Sequence, residues 1–336
     1  MRILVRMPNW LGDAVMATPA LNNLLRHHAG AELTLVGSPV VAELFGEDTR
    51  FRAVVADNSG KSLGRTAALW RLARGLRRDH GPFDEGWTFQ NGFSSRLLLL
   101  AAGARRRIAR VHHGWADWLL TQAVRCDLTR HHAEIYNATV NGGLDTNYPA
   151  GPTTVPVPKR FQYLRPTAGL HPGAAYGNAK RWPPERFAEA AIGLSRQYDI
   201  MLFAGPSERE LAEQAEALLI AAGVKNVTNL AGRTSIRELV ARIAGLDLFV
   251  ANDSGPMHVA GALGVPTVAV FGSTDHRVTR PWAAERTVVV RRDLSCSPCH
   301  ARSCPLHHHA CMRDILPDDV VKAAQRVAAS PRRVAG

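Results

Sequence analysis

The stretch from Leu246 to Phe271 constrains the fold of this chain more than any other part of the sequence. An apolar run (246–250) is typical of a buried strand, and the polar sequence after it (252–255) is typical of a turn. Pro256 suits the first position of a helix, and a second apolar run (265–271) comes directly after that helix. A strand, a helix and a second strand in this order predict a unit of a parallel sheet.

The turn and the start of this helix form a candidate anion site. Backbone N–H groups in the first turn of a helix have no partner within the helix, and the helix dipole favours negative charge there. Both effects would stabilise a pyrophosphate, and His258 near the helix start is a candidate hydrogen-bond donor to it. The alternative is a capped helix without a ligand, in which His258 is an ordinary core residue.

The chain is long enough for two domains, with 336 residues of which 46% are hydrophobic. A segment rich in proline and glycine, Tyr148–Arg165, is the best candidate for a boundary between them. We therefore expect an N-terminal domain over 1–155, a second domain over 156–316, and a C-terminal helix and tail over 317–336.

Strand and helix patterns alternate on both sides of this boundary, which predicts the α/β class. The first half contains these predicted strands and helices: Arg2–Met7, Glu32–Val36 and Arg52–Ala56 as strands, Ala14–His28 and Arg65–Asp79 as helices. The second half contains these: Ala168–His171, Asp199–Phe203, Val227–Leu230, Leu246–Ala251 and Thr267–Phe271 as strands, Pro184–Gln197, Ser207–Ala222, Ser235–Ala244, Pro256–Gly264 and Pro317–Ala329 as helices. We expect two doubly wound parallel sheets that face a central cleft, with ligands beyond the carboxyl ends of the strands.

The formal net charge is +12, which favours an anionic partner such as nucleic acid, a membrane surface or a phosphorylated substrate. Much of the excess lies between Lys61 and Arg78. On the predicted helix 65–79, apolar residues share one face and four arginines share the other, with Trp70 at the border: Arg71, Arg74, Arg77 and Arg78. This face is either an ordinary solvated surface or a docking site for anionic lipid headgroups.

The composition also indicates the compartment. No apolar run approaches the roughly 20 residues that cross a bilayer, and the first residues lack the long apolar stretch of a signal peptide. The five cysteines are compatible with a reducing environment. We expect a cytoplasmic protein.

Asp13 is the candidate general base. It follows the first predicted strand in the sequence Pro8-Asn-Trp-Leu-Gly-Asp13, and Gly12 lets the backbone pass close to a ligand. A carboxylate at this edge of a sheet can accept the proton of an incoming hydroxyl group. The alternative is that Asp13 caps the following helix, a role that aspartate fills well.

The second domain opens with a loop that runs from His171 to Pro183. Gly173 and Gly177 allow a tight turn close to a ligand, and Lys180 can place an ammonium group on a phosphate. A basic surface loop is the alternative. The P-loop sequence is absent and no Gly-x-Gly-x-x-Gly follows the first strand, which argues against P-loop proteins and nicotinamide oxidoreductases.

Four cysteines lie close together near the C-terminus: Cys296, Cys299, Cys304 and Cys311. Cysteines this close can bind zinc, but their spacing matches no common structural zinc motif. We expect a proline-rich loop with reduced cysteines and no metal, with zinc binding as the alternative.

Taken together, these motifs resemble the lipopolysaccharide heptosyltransferases of glycosyltransferase family 9. The segments that carry the resemblance occur in the same order along nearly the whole chain: Pro8–Asp13, His171–Gly173, Lys180–Pro183, Gly232–Ser235, Asn252–His258 and the cysteine segment 296–311. The Asn-Trp-Leu-Gly-Asp opening and the cysteine segment are most similar to heptosyltransferase II. The resemblance implies the GT-B fold, with two Rossmann-like domains.

The resemblance also implies roles for individual residues. Asp13 would be the catalytic base, and Lys180 would touch the donor phosphate. The backbone at Gly173 and Ala174 and the turn at Thr234 would line the donor pocket. The ADP part of the donor would be held by the turn at the start of the helix: Asp253, Ser254, Gly255, Pro256 and His258. A residue near Gly205–Glu208 would contact the ribose.

The implied reaction is transfer of L-glycero-D-manno-heptose from ADP-heptose to the lipopolysaccharide inner core, with inversion and without a required cofactor. The acceptor would be heptosyl-Kdo2-lipid A for a second-heptose enzyme, or Kdo2-lipid A for a first-heptose enzyme. Peripheral contact with the inner membrane would follow from this acceptor. Another GT-B nucleotide-sugar enzyme and a nucleic-acid-binding protein are rival functions, and the second explains the charge but not two phosphate-binding turns.

Overall fold

The computed structural model describes residues 1–60, 64–111 and 115–329. The chain divides into two compact units, Met1–Pro156 and Val157–Gly336, and each unit has its own sheet. Lys61 and residues 330–336 of the expected C-terminal tail lie outside the described residues.

The first unit contains a six-stranded parallel sheet in the part of the chain that is described. Its strands are β1 (Arg2–Arg6), β2 (Glu32–Gly37), β3 (Ala53–Ala56), β4 (Glu85–Thr88), β5 (Arg106–Arg110) and β6 (Gln122–Val124). Their order is β3-β2-β1-β4-β5-β6, so the chain winds outward in two directions from the pair β1 and β4. In a doubly wound sheet, ligands bind in the crevice beyond the carboxyl ends of this pair.

The helices of the first unit cover both faces of this sheet. They are α1 (Leu11–Met16), α2 (Thr18–His27), α3 (Pro39–Phe45), α4 (Arg65–Asp79), α5 (Phe93–Ala101) and α6 (His132–Leu144), with a 3-10 helix at Trp115–Leu119. The bounds of α4 confirm the prediction. The single helix predicted over 14–28 is wrong, because the chain forms two helices, α1 and α2, in this region. Pro19 lies in the first turn of α2, where its missing N–H is tolerated, so a new helix begins there.

The second unit repeats the same topology. Its strands are β7 (Thr167–His171), β8 (Asp199–Leu202), β9 (Val227–Asn229), β10 (Leu248–Asn252), β11 (Thr267–Val270) and β12 (Thr287–Val290). Their order is β12-β11-β10-β7-β8-β9, and all neighbouring strands are parallel. The pair β7 and β10 therefore occupies the place that β1 and β4 hold in the first unit.

The helices of the second unit are α7 (Pro184–Leu194), α8 (Arg209–Ala221), α9 (Ile236–Gly245), α10 (Gly255–Ala262), α11 (His276–Thr279), α12 (Ala310–Arg313) and α13 (Pro317–Ala328). Short 3-10 helices lie at Asn178–Lys180 and Pro206–Glu208. Helix α13 packs against α7, β11 and β12, and buries Val320, Ala324 and Val327 in the core of this unit. Of all the helices described, none combines the length and the apolar character that a bilayer crossing needs.

Several elements were not predicted, and β4 shows why. Its sequence is Glu-Gly-Trp-Thr, which lacks the apolar run of a buried strand. Glu85 is nevertheless buried, because its carboxylate accepts hydrogen bonds from Trp87 Nε1 at 2.9 Å and from Arg106 at 2.7 Å. Burial of a charge is tolerated where hydrogen bonds and an opposite charge compensate it.

Close packing of α6 on the first sheet gives a test of this fold. An added Cβ at Gly143 would overlap the buried ring of Trp87 and the side chain of Ile108. We expect Gly143→Ala to lower the free energy of unfolding by about 1–3 kcal/mol in a urea titration, because overpacking forces a shift of the core. Gly75 is also helical but has open space around it. Gly75→Ala is the control, with an expected gain of about 0.5–1 kcal/mol, and equal effects of both variants would contradict the packing.

Candidate functional site

Polar residues collect beyond the carboxyl ends of the central strands in each unit. In the first unit, the loop after β1 leads into α1 and Asp13. This loop is held from the neighbouring strand connection, because Gln90 Nε2 donates to the carbonyl of Met7 at 2.6 Å and to Asn9 Oδ1 at 2.9 Å. The position of α1 relative to β4 is thereby fixed.

Asp13 lies in the first turn of α1, but it does not cap this helix. The cap residue is Trp10, whose side chain makes no capping hydrogen bond to the described residues, and Asp13 takes the third helical position. The carboxylate points to α6 instead, where Oδ1 accepts a hydrogen bond from the Tyr136 hydroxyl at 3.0 Å. The same oxygen lies 3.3 Å from His132 Nδ1. The capping alternative is therefore wrong, and Asp13 is oriented by two groups on one face of α6.

Tyr136 is suited to act as a permanent donor to Asp13. Its ring is buried, and burial together with the Asp13 carboxylate raises the pKa of the phenol well above its usual range. The hydroxyl therefore keeps its proton at neutral pH. Neither Tyr136 nor His132 was predicted, although their spacing of four residues on a largely apolar helix places two polar groups on the same face.

In the second unit, Asn252 at the end of β10 organises the loops around it. This side chain is fully buried. Its Nδ2 donates to the carbonyl of Pro172 at 2.8 Å, and its Oδ1 accepts from the backbone N–H of Trp182 at 3.0 Å. One amide therefore ties both ends of the loop after β7 to the neighbouring strand. Trp182 itself is buried and donates from Nε1 to the carbonyl of Ile315, as expected for a residue at the base of the loop.

Lys180 is held at the same edge by Asp253. Its ammonium lies 2.6 Å from Asp253 Oδ2, and the hydroxyl of Thr274 donates to the same oxygen at 2.6 Å. The ammonium also lies 5.2 Å from the centre of the Tyr176 ring. Because an ammonium has three hydrogens, this arrangement fixes the direction of Lys180 while it retains donors for a further anion.

The helix start beside this ion pair keeps the features expected of an anion site. Helix α10 begins at Gly255, so Pro256 takes the second helical position and not the first. No side-chain hydrogen bond caps α10 among the described residues, and the Ser254 hydroxyl lies 3.4 Å from His171 Nδ1 instead. His258 is buried within the helix.

The carboxylate of Glu208 is buried, and it lies in the segment Gly205–Glu208 where the resemblance implies a ribose contact without identifying the residue. Its ion-pair partner is the Arg181 guanidinium at 3.8 Å, and the imidazole Nε2 of His171 lies 3.9 Å away. Burial lowers the pKa of His171, so its imidazole is neutral at pH 7. Within the described chain, Glu208 Oε1 accepts no hydrogen bond. A buried acceptor of this kind is costly unless a donor completes it.

Gly173 lies directly against the carboxylate of Glu208. A Cβ at Gly173 would overlap the Glu208 carboxyl group, so a larger residue there would force this buried side chain to move. Ala174 is buried directly after it. Thr234 lies farther along the same edge, in the turn between β9 and α9, whose Gly232 packs against Pro206 and Arg209.

The cysteine segment packs against the loop that carries Lys180. The backbone N–H of Ala179 donates to the carbonyl of Arg302 at 3.0 Å, and the Tyr176 hydroxyl donates to the carbonyl of His300 at 3.0 Å. The four cysteines of the segment are free thiols, and burial raises the pKa of Cys311 to about 11. In the described part of the chain, no group of three or more His, Cys, Asp or Glu side chains is arranged to hold a metal ion.

Comparisons with known proteins agree with this architecture. Residues 69–310 match the family model of glycosyltransferase family 9 (heptosyltransferase). The chain is 33% identical over 334 residues to lipooligosaccharide heptosyltransferase 2 of Campylobacter jejuni serotype O:2, which covers 97% of this chain and 98% of that protein. It is 41% identical over 295 residues to lipopolysaccharide heptosyltransferase 3 of Escherichia coli K12, with 81% and 82% of the two chains covered.

The structure is similar to that of the Escherichia coli ADP-heptose lipopolysaccharide heptosyltransferase II, with a TM-score of 0.81, 25% identity and 98% of each chain covered. This chain therefore belongs to glycosyltransferase family 9, the heptosyltransferase family, and it is a glycosyltransferase. The match also confirms the predicted fold class, with two Rossmann-like, doubly wound domains of the GT-B type.

The buried amide of Asn252 gives a test of the donor-side architecture. Asn252→Leu would leave the Trp182 N–H and the Pro172 carbonyl without partners, so we expect a loss of about 1–3 kcal/mol in the free energy of unfolding measured by urea titration. Asn178 is exposed, and Asn178→Leu is the control, with a change within about 0.5 kcal/mol. An unchanged stability of Asn252→Leu would show that the two loop ends are held by other contacts.

Proposed function

We propose that this protein transfers L-glycero-D-manno-heptose from ADP-heptose to heptosyl-Kdo2-lipid A, and so adds the second heptose of the lipopolysaccharide inner core. Relatives named heptosyltransferase 2 that cover almost the whole chain support this function. The observation that carries it is that each unit offers one part of the required chemistry. The second unit offers a fixed cation beside an uncapped helix start, and the first unit offers a carboxylate that two neighbours orient.

The donor is assigned to the second unit. Lys180 and the start of α10 would hold the pyrophosphate, since both are positive and are preset before the donor arrives. Gly173, Ala174, Thr234 and the turn Asp253–His258 would line the pocket around it, as the family resemblance implies. We assign the ribose contact to Glu208, because its unsatisfied Oε1 would accept a hydrogen bond from a sugar hydroxyl.

The acceptor is assigned to the first unit, where Asp13 would act as general base. The carboxylate takes the proton of the acceptor hydroxyl as its oxygen attacks the anomeric carbon of the heptose. The new C–O bond forms on the face opposite ADP, and the bond to the ADP oxygen breaks with its electron pair on ADP, so the configuration inverts. Lys180 and the helix dipole stabilise the charge on the departing ADP, so the proposed mechanism requires no metal ion or other cofactor.

The place of action follows from the acceptor. A lipid A glycolipid lies in a membrane, so we propose that the enzyme works in the cytoplasm and contacts the inner membrane peripherally. Nucleic acid is not a proposed partner.

Lys180 is the residue whose change should weaken donor binding most directly. Lys180→Met removes a charge-assisted contact to phosphate, so we expect ADP to bind about 10–100-fold more weakly in isothermal titration calorimetry. Lys225 is an exposed lysine after α8, and Lys225→Met serves as the matched control with unchanged ADP affinity. Equal affinities of the two variants would remove Lys180 from the donor site.

Asp13 should matter for turnover but not for donor binding. Asp13→Asn keeps an oxygen that can accept the Tyr136 hydrogen bond but lacks general-base strength, so we expect kcat to fall by about 10²–10⁴-fold with ADP affinity unchanged. Asp145 is an exposed residue with left-handed backbone that asparagine also tolerates, and Asp145→Asn is the control. Turnover of Asp13→Asn near that of the wild type would exclude the general-base role.

The acceptor decides between members of the family. The chain is also similar in sequence to a relative named heptosyltransferase 3. The number of heptoses on the preferred acceptor therefore distinguishes between the possible functions. Turnover of ADP-heptose should be compared on Kdo2-lipid A with no heptose, one heptose or two heptoses. The proposal expects the highest kcat/KM with one heptose, and a preference for either of the others would reassign the enzyme within family 9.

A further inference from the structure

The outer face of α4 carries a concentrated positive charge. Leu69, Ala73 and Leu76 of this helix are buried against the first sheet. The opposite side of the helix is exposed and holds one aromatic residue and a row of arginines spaced one helical turn apart: Trp70, Arg71, Arg74, Arg77 and Arg78. The helix therefore separates an apolar inner face from a cationic outer face.

Most of this charge is not compensated by the protein. Arg78 pairs with Asp79 at the end of the helix. Arg71, Arg74 and Arg77 form no ion pair with any residue in the described ranges. Three neighbouring like charges on one helix repel each other, so an external anionic surface would stabilise them.

The neighbouring helix α5 presents a different kind of surface. Helix α5 packs beside α4, and the Arg65 guanidinium donates to Ser94 Oγ at 2.9 Å between them. Two apolar side chains on its outward side, Phe93 and Leu100, are exposed and lie two helical turns apart, while Leu97 between them packs partly against the core. The 3-10 helix that packs on α5 adds Trp118, whose side chain is 68% exposed.

We propose that this surface, formed by α4, α5 and Trp118, is a docking surface for an anionic phospholipid bilayer. Arginines bind lipid phosphates, and exposed tryptophans and other exposed apolar side chains such as Phe93 and Leu100 enter the boundary between headgroups and acyl chains. The combination favours a bilayer over nucleic acid, since exposed leucines gain nothing from a phosphate backbone in water. This inference gives a location to the membrane contact of the proposed function, and it does not depend on which acceptor is used.

The test is co-sedimentation of the full chain with vesicles made of phosphatidylcholine alone or of phosphatidylcholine and phosphatidylglycerol in equal parts. We expect the wild type to bind only the anionic vesicles, and more weakly at high salt.

Each arginine near an anionic surface contributes roughly fivefold to binding, so R71Q/R74Q/R77Q should bind on the order of 100-fold more weakly. F93S/L100S should also bind more weakly, and this loss should persist at high salt because apolar insertion is not screened.

The matched control is R196Q/K225Q/R313Q, which removes the same charge from exposed positions of the second unit. The control triple should keep the vesicle affinity of the wild type, and all variants should keep its ADP affinity, which verifies their folding. Equal losses in both triples would show that net charge alone drives binding, and would overturn the proposal. Binding of the wild type to DNA but not to vesicles would overturn it as well. Intact turnover of ADP-heptose without vesicle binding would reject this surface and leave the proposed function standing.

Discussion

The second unit depends on one buried side chain, the amide of Asn252. It holds both ends of the loop after β7 to the neighbouring strand through hydrogen bonds that are shielded from solvent. The next residue, Asp253, forms the ion pair that fixes Lys180. Two adjacent residues at one strand end therefore set both the loop that carries the cation and the direction of the cation itself. This is electrostatic preorganisation in its simplest form, since the cost of ordering Lys180 is met during folding.

The two units use the same strand order for different chemistry. In the first unit the loop after the first strand, β1, leads to the carboxylate of Asp13. In the second unit the cation comes from the loop after its first strand, β7, and is oriented from its fourth strand, β10. The doubly wound topology supplies the same crevice in both cases, and the side chains placed there decide whether it attracts a phosphate or accepts a proton.

Local sequence patterns were enough to predict the elements whose apolar residues recur with the period of one helix or one strand. The turn after β10 and helix α4 are of this type, because proline, glycine and the spacing of leucines define them within a few residues. Strand β4 was missed because Glu85 is balanced by Arg106, a partner 21 residues farther along the chain. The role of Tyr136 is even harder to predict from local sequence, since its hydrogen-bond partner Asp13 is 123 residues away along the chain. Such contacts depend on the tertiary fold, so no local pattern contains them, and Glu208 belongs to the same group.

The contacts between the cysteine segment and the Tyr176–Lys180 loop have a consequence for how this chain can be shortened. The six strands of the second sheet are complete by Val290. Yet the carbonyls of His300 and Arg302 brace the loop from outside the sheet, and Gly177 lies too close to Arg302 to carry a side chain. A chain cut after the last strand would lose this outer wall of the cation loop, together with α13 and the core contacts of Val320, Ala324 and Val327. The segment that follows the last strand is thus a structural support of the Lys180 loop and not a dispensable appendage.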